Sequence, residues 1–246
     1  MELSIRLQAV ADLVTPGMRL ADVGTDHAYI PIYLVEQGRI PLAIAMDIGK
    51  GPLERATEHI REYGLTDQIR TCLSDGLKNL KKEEADAMIA AGMGGGLVIK
   101  ILSDSRDTAL QLKELILQPQ SEIGKVREYL VTNGYRIVAE NMVLDDGKYY
   151  PMMKVLPVSG AAEESLADAG SDAPYLPEEL EFGRILLRER NPVLKQFLER
   201  EIAVSHTILD ALEKQDSERA LKRKEEIRAR IKSIEDTLCK YFTCGA

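Results

Sequence analysis

The residues best suited to chemistry lie in one short run, Asp22-Val23-Gly24-Thr25-Asp26-His27-Ala28-Tyr29-Ile30-Pro31. It follows a strand-like segment and leads into a helical pattern, which is where nucleotide-like cofactors bind in open α/β sheets. Gly24 permits a tight turn and lets a ligand come close to the backbone. Asp26 stands where the dinucleotide fingerprint has its second glycine, and its carboxylate would repel a pyrophosphate. The run therefore predicts a cofactor without phosphates, preferably a cationic one.

Three further loops follow strand-like runs in the order expected for the same sheet edge. Asp47 stands 23 residues beyond Gly24, a separation at which a carboxylate can accept hydrogen bonds from ribose hydroxyls. In Ser74-Asp75-Gly76-Leu77 a carboxylate could accept a hydrogen bond from an adenine amino group. The glycines of residues 90–96 allow the backbone to approach a flat ligand. Each loop alone is a weak signal, whereas four in order favour one nucleoside-binding edge.

Structural roles compete with these assignments. Asp47 and Asp75 could be helix N-caps or turn residues, and Asp26 could cap the helix predicted over 28–38. Residues 92–96 could form only a loose turn. The three histidines have no metal-ligand spacing, so no metal is expected. His59 and His206 are interpreted as helix-surface residues, which leaves His27 as the histidine of the candidate site.

Short apolar strands alternating with helices position these loops. Strands are predicted over 20–23, 42–47, 69–73, 85–91 and 112–117, and helices over 4–14, 28–38, 50–63, 95–103 and 121–133. This alternation predicts a mostly parallel sheet covered by helices on both faces. Residues 135–144 and 149–158, joined by a turn at 145–148, then predict an antiparallel hairpin. An antiparallel end distinguishes the class I methyltransferase sheet from a dinucleotide-binding sheet, so the fold class is α/β, Rossmann-like.

The C-terminal third has a different pattern. Residues 159–177 are rich in Ala, Gly, Ser, Asp and Glu and are interpreted as a linker between domains at 1–158 and 178–246. A helix is predicted over 178–190, followed by Asn191-Pro192 as the N-cap and first residue of the next helix. Two apolar seams with 3- and 4-residue steps, broken at residues 215–217, predict an antiparallel coiled-coil hairpin.

Composition and charge limit the possible functions. The N-terminus has no apolar secretory region, no apolar run is long enough to cross a bilayer, and three cysteines form no CxxC pair. A reduced, cytoplasmic protein with no membrane partner is expected. The net charge is −8, and residues 178–246 carry 14 basic and 14 acidic residues. Residues 219–232 hold seven basic and two acidic residues, which could contact phosphates or simply form a solvated helix face.

The runs DVGTDHAYIP, MDIGKGPLERA, LSDGL, AGMGGGLVIKIL and LILQPQ, in this order, resemble the bacterial tRNA (adenine-N1)-methyltransferase family called TrmK. The resemblance covers roughly residues 1–157, and the helical hairpin with its ERNPVL entry is similar to the family's C-terminal domain. It implies a class I fold, S-adenosylmethionine as methyl donor and the adenine at tRNA position 22 as the target.

Carried over by position, the resemblance also implies site residues. The methionine end of the cofactor would be lined by Gly24, His27 and Ala28, and Asp22 would be a further cofactor-binding residue. The ribose would be held by Asp47 with Ile48, and the adenine by Asp75 with Gly76. The floor beneath the sulfonium and the target base would be Gly92, Met93 and Gly94.

The expected mechanism follows from the nucleophile. Adenine N1 has a lone pair and no proton, so the enzyme needs alignment and a negative environment rather than a base. Asp26 is the candidate for the electrostatic or hydrogen-bonding partner, and Tyr29 for orienting or stacking on the base. The tRNA is expected to be gripped by basic residues of the hairpin. These are Arg219, Lys222, Arg223, Lys224 and Arg228.

Three alternatives remain open from the sequence. A nicotinamide-dependent oxidoreductase could use a similar sheet, although Asp26 and the terminal hairpin disfavour it. A non-catalytic interaction protein could present a coiled-coil arm on a degenerate methyltransferase sheet. A methyltransferase could act on another RNA or on a small molecule. The oligomeric state is undetermined, with a monomer slightly favoured.

Overall fold

The computed structural model describes residues 1–158, 173–212 and 217–243, and the chain divides into two compact units, Met1–Tyr175 and Leu176–Ala246. The first unit contains a seven-stranded sheet. Its strands are β1 (Leu20–Val23), β2 (Ala43–Asp47), β3 (Ile69–Leu73), β4 (Ala87–Met93), β5 (Glu114–Pro119), β6 (Tyr135–Asp145) and β7 (Lys148–Pro157).

The strand order is β3-β2-β1-β4-β5-β7-β6. Strands β1 to β5 are parallel, whereas β7 pairs antiparallel with both β5 and β6. Val23 of β1 is in register with Met46 of β2 on one side and Ala90 of β4 on the other. The carboxyl ends of these three strands therefore lie side by side at one sheet edge. The predicted Rossmann-like methyltransferase sheet is confirmed, including its antiparallel end.

Six helices accompany the sheet within the described part of this unit. They are α1 (Ile5–Asp12), α2 (Tyr29–Glu36), α3 (Lys50–Glu62), α4 (Gly95–Asp104), α5 (Arg106–Gln111) and α6 (Ile123–Thr132). The short α5 was not expected from the sequence. The fourth strand begins at Ala87 rather than at residue 85, because Asp86 and Ala87 both donate backbone hydrogen bonds to the Arg19 carbonyl oxygen where the strand starts.

Buried ion pairs hold the antiparallel end of the sheet. Glu114, at the start of β5, accepts hydrogen bonds from the Thr15 amide and hydroxyl and pairs with Lys154 of β7 at 2.9 Å. Arg127 of α6 pairs with Glu140 of β6 at 2.8 Å, and both side chains are buried. Removing one member of such a pair would leave a buried charge without its partner, which is strongly destabilising.

The described part of the second unit is mainly helical. Its helices are α7 (Pro177–Phe182), α8 (Arg184–Arg188), α9 (Pro192–Leu212) and α10 (Glu218–Leu238), and a π-helical turn follows at Cys239–Thr243. Gly183, at φ +99°, divides the segment predicted as one helix over 178–190. The Asn191 side chain accepts hydrogen bonds from the amides of Val193 and Leu194, so it caps α9 as expected.

Helices α9 and α10 contact each other. The side chains buried on α9 are Leu194 and Leu198, and those on α10 include Ile227, Ile231 and Ile234. The spacing on α10 is that of the seam read from the sequence, while the coiled-coil pairing itself stays a prediction. Residues 159–172 of the proposed linker and most of the break between the two seams lie outside the described residues.

Candidate cofactor and active site

The turn after β1 lies close to the ends of both neighbouring strands. The amides of Gly24 and Thr25 donate hydrogen bonds to the Met46 carbonyl oxygen at 2.8 and 3.0 Å. Gly24 has φ +76°, and a Cβ atom there would lie 2.8 Å from the Met93 methyl carbon. Any side chain at this position would therefore displace Met93 as well as strain the backbone, which explains the glycine in physical terms.

Two residues of this turn adopt the left-handed backbone conformation without being glycine. His27 has φ 69° and Ala28 has φ 55°. Such residues cost on the order of 1–3 kcal/mol each and cluster at functional sites. Ala28 is the N-cap residue of α2 and makes no side-chain capping bond. Asp26 therefore does not cap this helix, and that interpretation of the sequence is wrong.

Asp26 is instead paired with an arginine of α3. Its Oδ1 atom lies 2.9 Å from Nε and 2.8 Å from Nη2 of Arg55, and 3.5 Å from Nε2 of His27. The Asp26 side chain is 57% exposed, so its carboxylate remains accessible. The site thus contains an acid whose charge is partly balanced by Arg55, a residue that the sequence pattern did not single out.

Three rings pack together beside Asp26. The His27 and Tyr29 rings are stacked, with centroids 5.1 Å apart and planes 10° apart. The His59 ring of α3 lies 4.8 Å from that of His27 and 5.5 Å from that of Tyr29, and its Nδ1 atom is 3.2 Å from the His27 carbonyl oxygen. The interpretation of His59 as a helix-surface residue is wrong, because this side chain supports the strained turn. The His27 Nδ1 atom is buried and has no hydrogen-bond partner in the part of the chain that the structure describes.

Asp22 is a buried acid at the same edge. Its side chain is in β1, the residue is 8% exposed, and burial raises its pKa to about 6. The Thr25 hydroxyl lowers this pKa and the charge of Asp47 raises it. A carboxylate with a raised pKa in a cleft is typical of a functional site, because a cationic ligand can stabilise its charge.

Asp47 is the last residue of β2, and Ile48 follows it. One carboxylate oxygen of Asp47 accepts a hydrogen bond of 2.6 Å from the Gly49 amide, so Asp47 shapes the turn, as the structural alternative proposed. The N-cap of α3 is Gly49 rather than Asp47. The other Asp47 oxygen has no hydrogen-bond partner among the described residues and can accept bonds from a ligand. Ile48 is 71% exposed and offers an apolar surface beside it.

Asp75 and Gly76 follow β3. Asp75 pairs with Lys78 at 2.5 Å, and the Lys78 ammonium lowers the pKa of this carboxyl. Gly76 has φ +60°, and a Cβ atom there would come within 3.0 Å of the Ile101 side chain. Asp75 is therefore ionised at neutral pH, and a ligand would share it with Lys78.

The glycine run at the end of β4 is closely packed. Gly92 has φ +79°, Met93 is the last residue of β4, and Gly94 is the N-cap of α4. A Cβ atom at Gly95 would lie 2.3 Å from the Ser121 carbonyl oxygen. The interpretation of residues 92–96 as a loose turn is wrong, because the absence of a side chain at Gly95 is what allows α4 to lie against the start of α6.

A cavity of about 320 Å³ brings part of the predicted site together. That size falls at the lower end of the range for small-molecule pockets. Its lining comes from the first turn of α1, the segment 22–30 and the end of β4. The predicted residues that line it are Asp22, Gly24, Asp26, His27, Tyr29 and Gly92. Arg6 of α1 also lines it, and no signal in the sequence assigned Arg6 to the site. The remaining predicted cofactor residues, apart from the buried Ala28, lie at the last positions of β2 and β4 or on the turns that follow β2, β3 and β4.

The predicted RNA-binding residues lie on α10. Arg219, Lys222, Arg223 and Arg228 are exposed, and Arg223 pairs with Glu226 at 3.0 Å. Lys224 is buried and is part of the α10 face that also carries Ile227. Four of the five cations therefore lie on the outer surface of the helix.

Neither a metal cluster nor a membrane span is found in the described ranges. No group of three or more His, Cys, Asp or Glu side chains there is placed to hold a metal ion. No helix within residues 1–158, 173–212 or 217–243 is both long and apolar enough to cross a membrane.

Comparison with known proteins places this geometry in context. Residues 3–153 match the family model described as a methyltransferase domain. The chain is 32% identical over 239 residues to the tRNA (adenine(22)-N(1))-methyltransferase of Bacillus subtilis (strain 168), covering 97% of this chain and 98% of that protein.

Two solved structures are similar over nearly the whole chain. One is a putative tRNA (m1A22) methyltransferase of Streptococcus pneumoniae in complex with S-adenosyl-L-methionine, at 29% identity and TM-score 0.82, covering 96% of this chain and 100% of that chain. The other is M. capricolum TrmK in complex with S-adenosyl-homocysteine, at 30% identity and TM-score 0.79, covering 98% of this chain and 100% of that chain.

Proposed function

The chain belongs to the tRNA (adenine(22)-N(1))-methyltransferase family, and we propose that it forms 1-methyladenosine at position 22 of tRNA. The observation that carries this proposal is the cavity in which the acidic, aromatic turn of residues 22–30 lies against Gly92. The methyl donor is S-adenosylmethionine, which supplies a methyl group on a positively charged sulfur. Two similar structures are described as complexes with this donor or its product.

The residues at the strand ends fit such a donor. Gly24 and Gly92 have positive φ angles and no side chain, so only their backbone atoms border the cavity that both residues line. The buried His27 Nδ1 atom, which lacks a described partner, can hydrogen-bond the methionine part of the ligand. The unbonded oxygen of Asp47 can accept from ribose hydroxyls, and Asp75, beside Gly76, from an adenine amino group. Asp22 provides a negative charge for a cation.

The turn of residues 26–29 is suited to the methyl acceptor. Adenine N1 attacks with its lone pair, so no residue has to remove a proton first, and positive charge develops on the purine as the methyl group is transferred. Asp26 is exposed and can stabilise that charge through space or by accepting a hydrogen bond from the adenine amino group. Arg55 fixes the orientation of Asp26 and moderates its charge.

Tyr29 can hold the base in place. Its ring already stacks on His27, it is partly exposed, and a base placed against it would extend the stack. Stacking of a base on an aromatic side chain contributes about 1–3 kcal/mol. That is comparable with the few kcal/mol needed to extrude a nucleotide from a folded RNA. His59 packs against both rings and so keeps Tyr29 and His27 from moving apart.

The exposed cations of α10 are proposed to contact the tRNA backbone. Arg219, Lys222, Arg223 and Arg228 are accessible, and phosphate contacts of this kind supply affinity without sequence specificity. Lys224 is buried and is left out of the proposed contact surface.

The decisive experiment is transfer of a labelled methyl group to bulk tRNA, followed by nucleoside analysis. We expect the label in 1-methyladenosine. A transcript of one accepted tRNA in which adenosine 22 is replaced by guanosine should take up no label. Label in a different nucleoside, or equal labelling of the replaced transcript, would reject the proposed target. Cofactor binding without any transfer would favour the non-catalytic alternative.

A further inference from the structure

Arg6 is a positively charged side chain in the active-site cavity that the reaction described so far does not use. It lies in the first turn of α1, and its backbone amide donates a hydrogen bond of 3.0 Å to the Asp145 carboxylate at the end of β6. That bond fixes the start of α1 over the sheet edge. The Arg6 side chain therefore comes from α1, not from the turn after β1. It lines the same cavity as Asp22, Asp26 and Tyr29.

The Arg6 guanidinium is held in place by neutral groups. Its Nη1 atom donates to Oε1 of Gln118 at 3.0 Å, and its central carbon lies 5.4 Å from the centroid of the Tyr150 ring. Gln118 is fully buried, and the same oxygen accepts a hydrogen bond of 3.1 Å from the Gly92 amide. Gln118 thus connects Arg6 to Gly92, the glycine expected to lie beneath the sulfonium and the target base. A side chain anchored in this way loses little additional freedom when it binds a ligand.

The charge of Arg6 is not balanced within the site. No carboxylate of the described residues lies within ion-pair distance of its guanidinium, and its remaining N–H groups have no described hydrogen-bond partner. By contrast, Asp26 has Arg55 as its partner. An arginine presents several N–H donors in a fixed planar arrangement that matches the oxygens of a phosphate. The cavity therefore contains one anchored cation whose expected ligand is an anion.

Both reactants carry an anionic group, but they differ in net charge. The carboxylate of the methyl donor stands beside an ammonium and a sulfonium in the same molecule, so the donor as a whole is a cation and those charges oppose the approach of a guanidinium. A target nucleotide inserted from a tRNA brings a phosphodiester on each side of its ribose. We propose that Arg6 binds a phosphate flanking the target adenosine and thereby positions that nucleotide against Gly92 and Tyr29. This inference rests on the proposed tRNA-methyltransferase function and adds a substrate contact to it.

A double-mutant cycle between protein and RNA tests the contact. The protein variants are Arg6→Met, which removes the charge and keeps an unbranched side chain, and Arg6→Lys, which keeps the charge. The RNA variants carry one uncharged methylphosphonate, either on the 5′ or on the 3′ side of the target adenosine. We expect Arg6→Met to lower kcat/KM at least tenfold, mainly through the KM for tRNA, and to reduce the salt slope of tRNA binding by about one. Arg6→Lys should recover part of the loss.

The pattern across the cycle decides between substrate contact and mere structural support. One of the two methylphosphonates should weaken the wild-type enzyme by a similar factor and cause no further loss in Arg6→Met. If the losses multiply at both positions, Arg6 contacts neither phosphate and the inference is wrong, while methylation by the wild type would leave the proposed function intact. If the wild type forms no 1-methyladenosine on unmodified tRNA, the proposed function fails and this inference fails with it.

Two controls keep a folding defect from being mistaken for a lost contact. Arg61→Met removes the same charge from an exposed position near the C-terminal end of α3, and we expect tRNA binding within about twofold of the wild type. The dissociation constant for S-adenosylmethionine should also stay within about twofold in Arg6→Met. A large loss of cofactor affinity there would assign Arg6 to the carboxylate of the methyl donor or to the support of the site, and would overturn the phosphate assignment.

Discussion

We expect Asp22 to make the affinity for S-adenosylmethionine depend on pH, with weaker binding at low pH. This carboxyl lines the cavity, and burial raises its pKa to about 6. The ligand has positive charges on its sulfonium and its amino group, so it favours the ionised form of Asp22. Below pH 6 the carboxyl is mostly protonated in the free protein, and part of the binding free energy must then be spent on removing that proton.

The size of the effect follows from the pKa of about 6. At pH 5 roughly one Asp22 in eleven is ionised in the free protein, so the affinity should be about tenfold weaker than at pH 8, or about 1.4 kcal/mol. Binding at pH 5 should release close to one proton for each ligand bound. Asp22→Asn should bind more weakly at pH 8 and should lack this contribution to the pH dependence.

Isothermal titration calorimetry in two buffers of different ionisation enthalpy measures both quantities. S-adenosylhomocysteine is the matched ligand, because it lacks the sulfonium charge while keeping the amino group. A smaller pH dependence for it would assign part of the effect to the sulfur. If Asp22→Asn kept the slope and the proton release of the wild type, the titrating group would be another one, and the role assigned to Asp22 would be refuted.

The same carboxyl has an opposite effect on the stability of the free protein. Its pKa is higher in the folded than in the unfolded state, so its favourable contribution is fully present below pH 4 and is lost as the pH rises through about 6. The difference of roughly two pKa units corresponds to about 3 kcal/mol. Asp22→Asn should therefore unfold with a free energy up to about 3 kcal/mol higher than that of the wild type at pH 8, and close to it at pH 4. Denaturant titrations that show the same difference at both pH values would contradict this explanation.

Three further predictions concern other residues. Asp26→Asn should lower kcat for methyl transfer at least tenfold, because the Asp26 side chain is exposed beside the position proposed for the target base. The dissociation constant of S-adenosylmethionine should stay within about twofold of the wild-type value. An unchanged kcat would show that Asp26 takes no part in the reaction. Gly95→Ala should lower the free energy of unfolding by about 1–3 kcal/mol, because the new Cβ atom would collide with the Ser121 carbonyl oxygen. The control Gly51→Ala, in α3, should be neutral or stabilising. Equal effects of the two substitutions in denaturant titrations would count against the packing argument. Arg219→Glu combined with Arg223→Glu should weaken tRNA binding and reduce its salt dependence without changing the affinity for the cofactor. Filter-binding titrations at several salt concentrations measure both quantities. An unchanged salt slope would mean that the tRNA binds to another surface.

The main chain of the site could be predicted from the sequence because its elements have local signals. β1 is a short apolar run, Gly24 ends it, and helical periodicity resumes at Tyr29. The acid at the end of β2 and the acid after β3 could be predicted in the same way. Since parallel strands place their carboxyl ends at one edge, the order of these runs was enough to expect them near one another. The register of β1 with both β2 and β4 gives this expectation its physical basis.

The side chains that complete the site have no such local signal. Arg55 and His59 lie on α3, and Arg6 lies on α1, where each is one polar residue among many on an amphipathic helix. Their roles depend on how the helix packs: Arg55 reaches Asp26 across 29 residues of chain, and His59 reaches His27 across 32. Periodicity places a residue on a helix face, but it does not tell which loop that face will meet. The glycine run raised the same difficulty, since the need for Gly95 comes from Ser121, at the start of another helix.

Two carboxylates, at Asp22 and Asp26, line one cavity and differ in almost every physical respect. Asp22 is buried in β1, and burial raises its pKa because water cannot stabilise the carboxylate charge. A bound cation can provide that stabilisation. Asp26 is exposed and already has the Arg55 guanidinium as a partner, so it needs no ligand to remain ionised. Pairs of acids whose environments differ in this way take different roles in enzymes. The buried acid suits the reactant that arrives with a fixed positive charge, and the exposed acid suits the one on which charge develops only during the reaction. We therefore propose that the cavity has a donor side at Asp22 and an acceptor side at Asp26, with Arg6 placed to bind the phosphate that the acceptor brings.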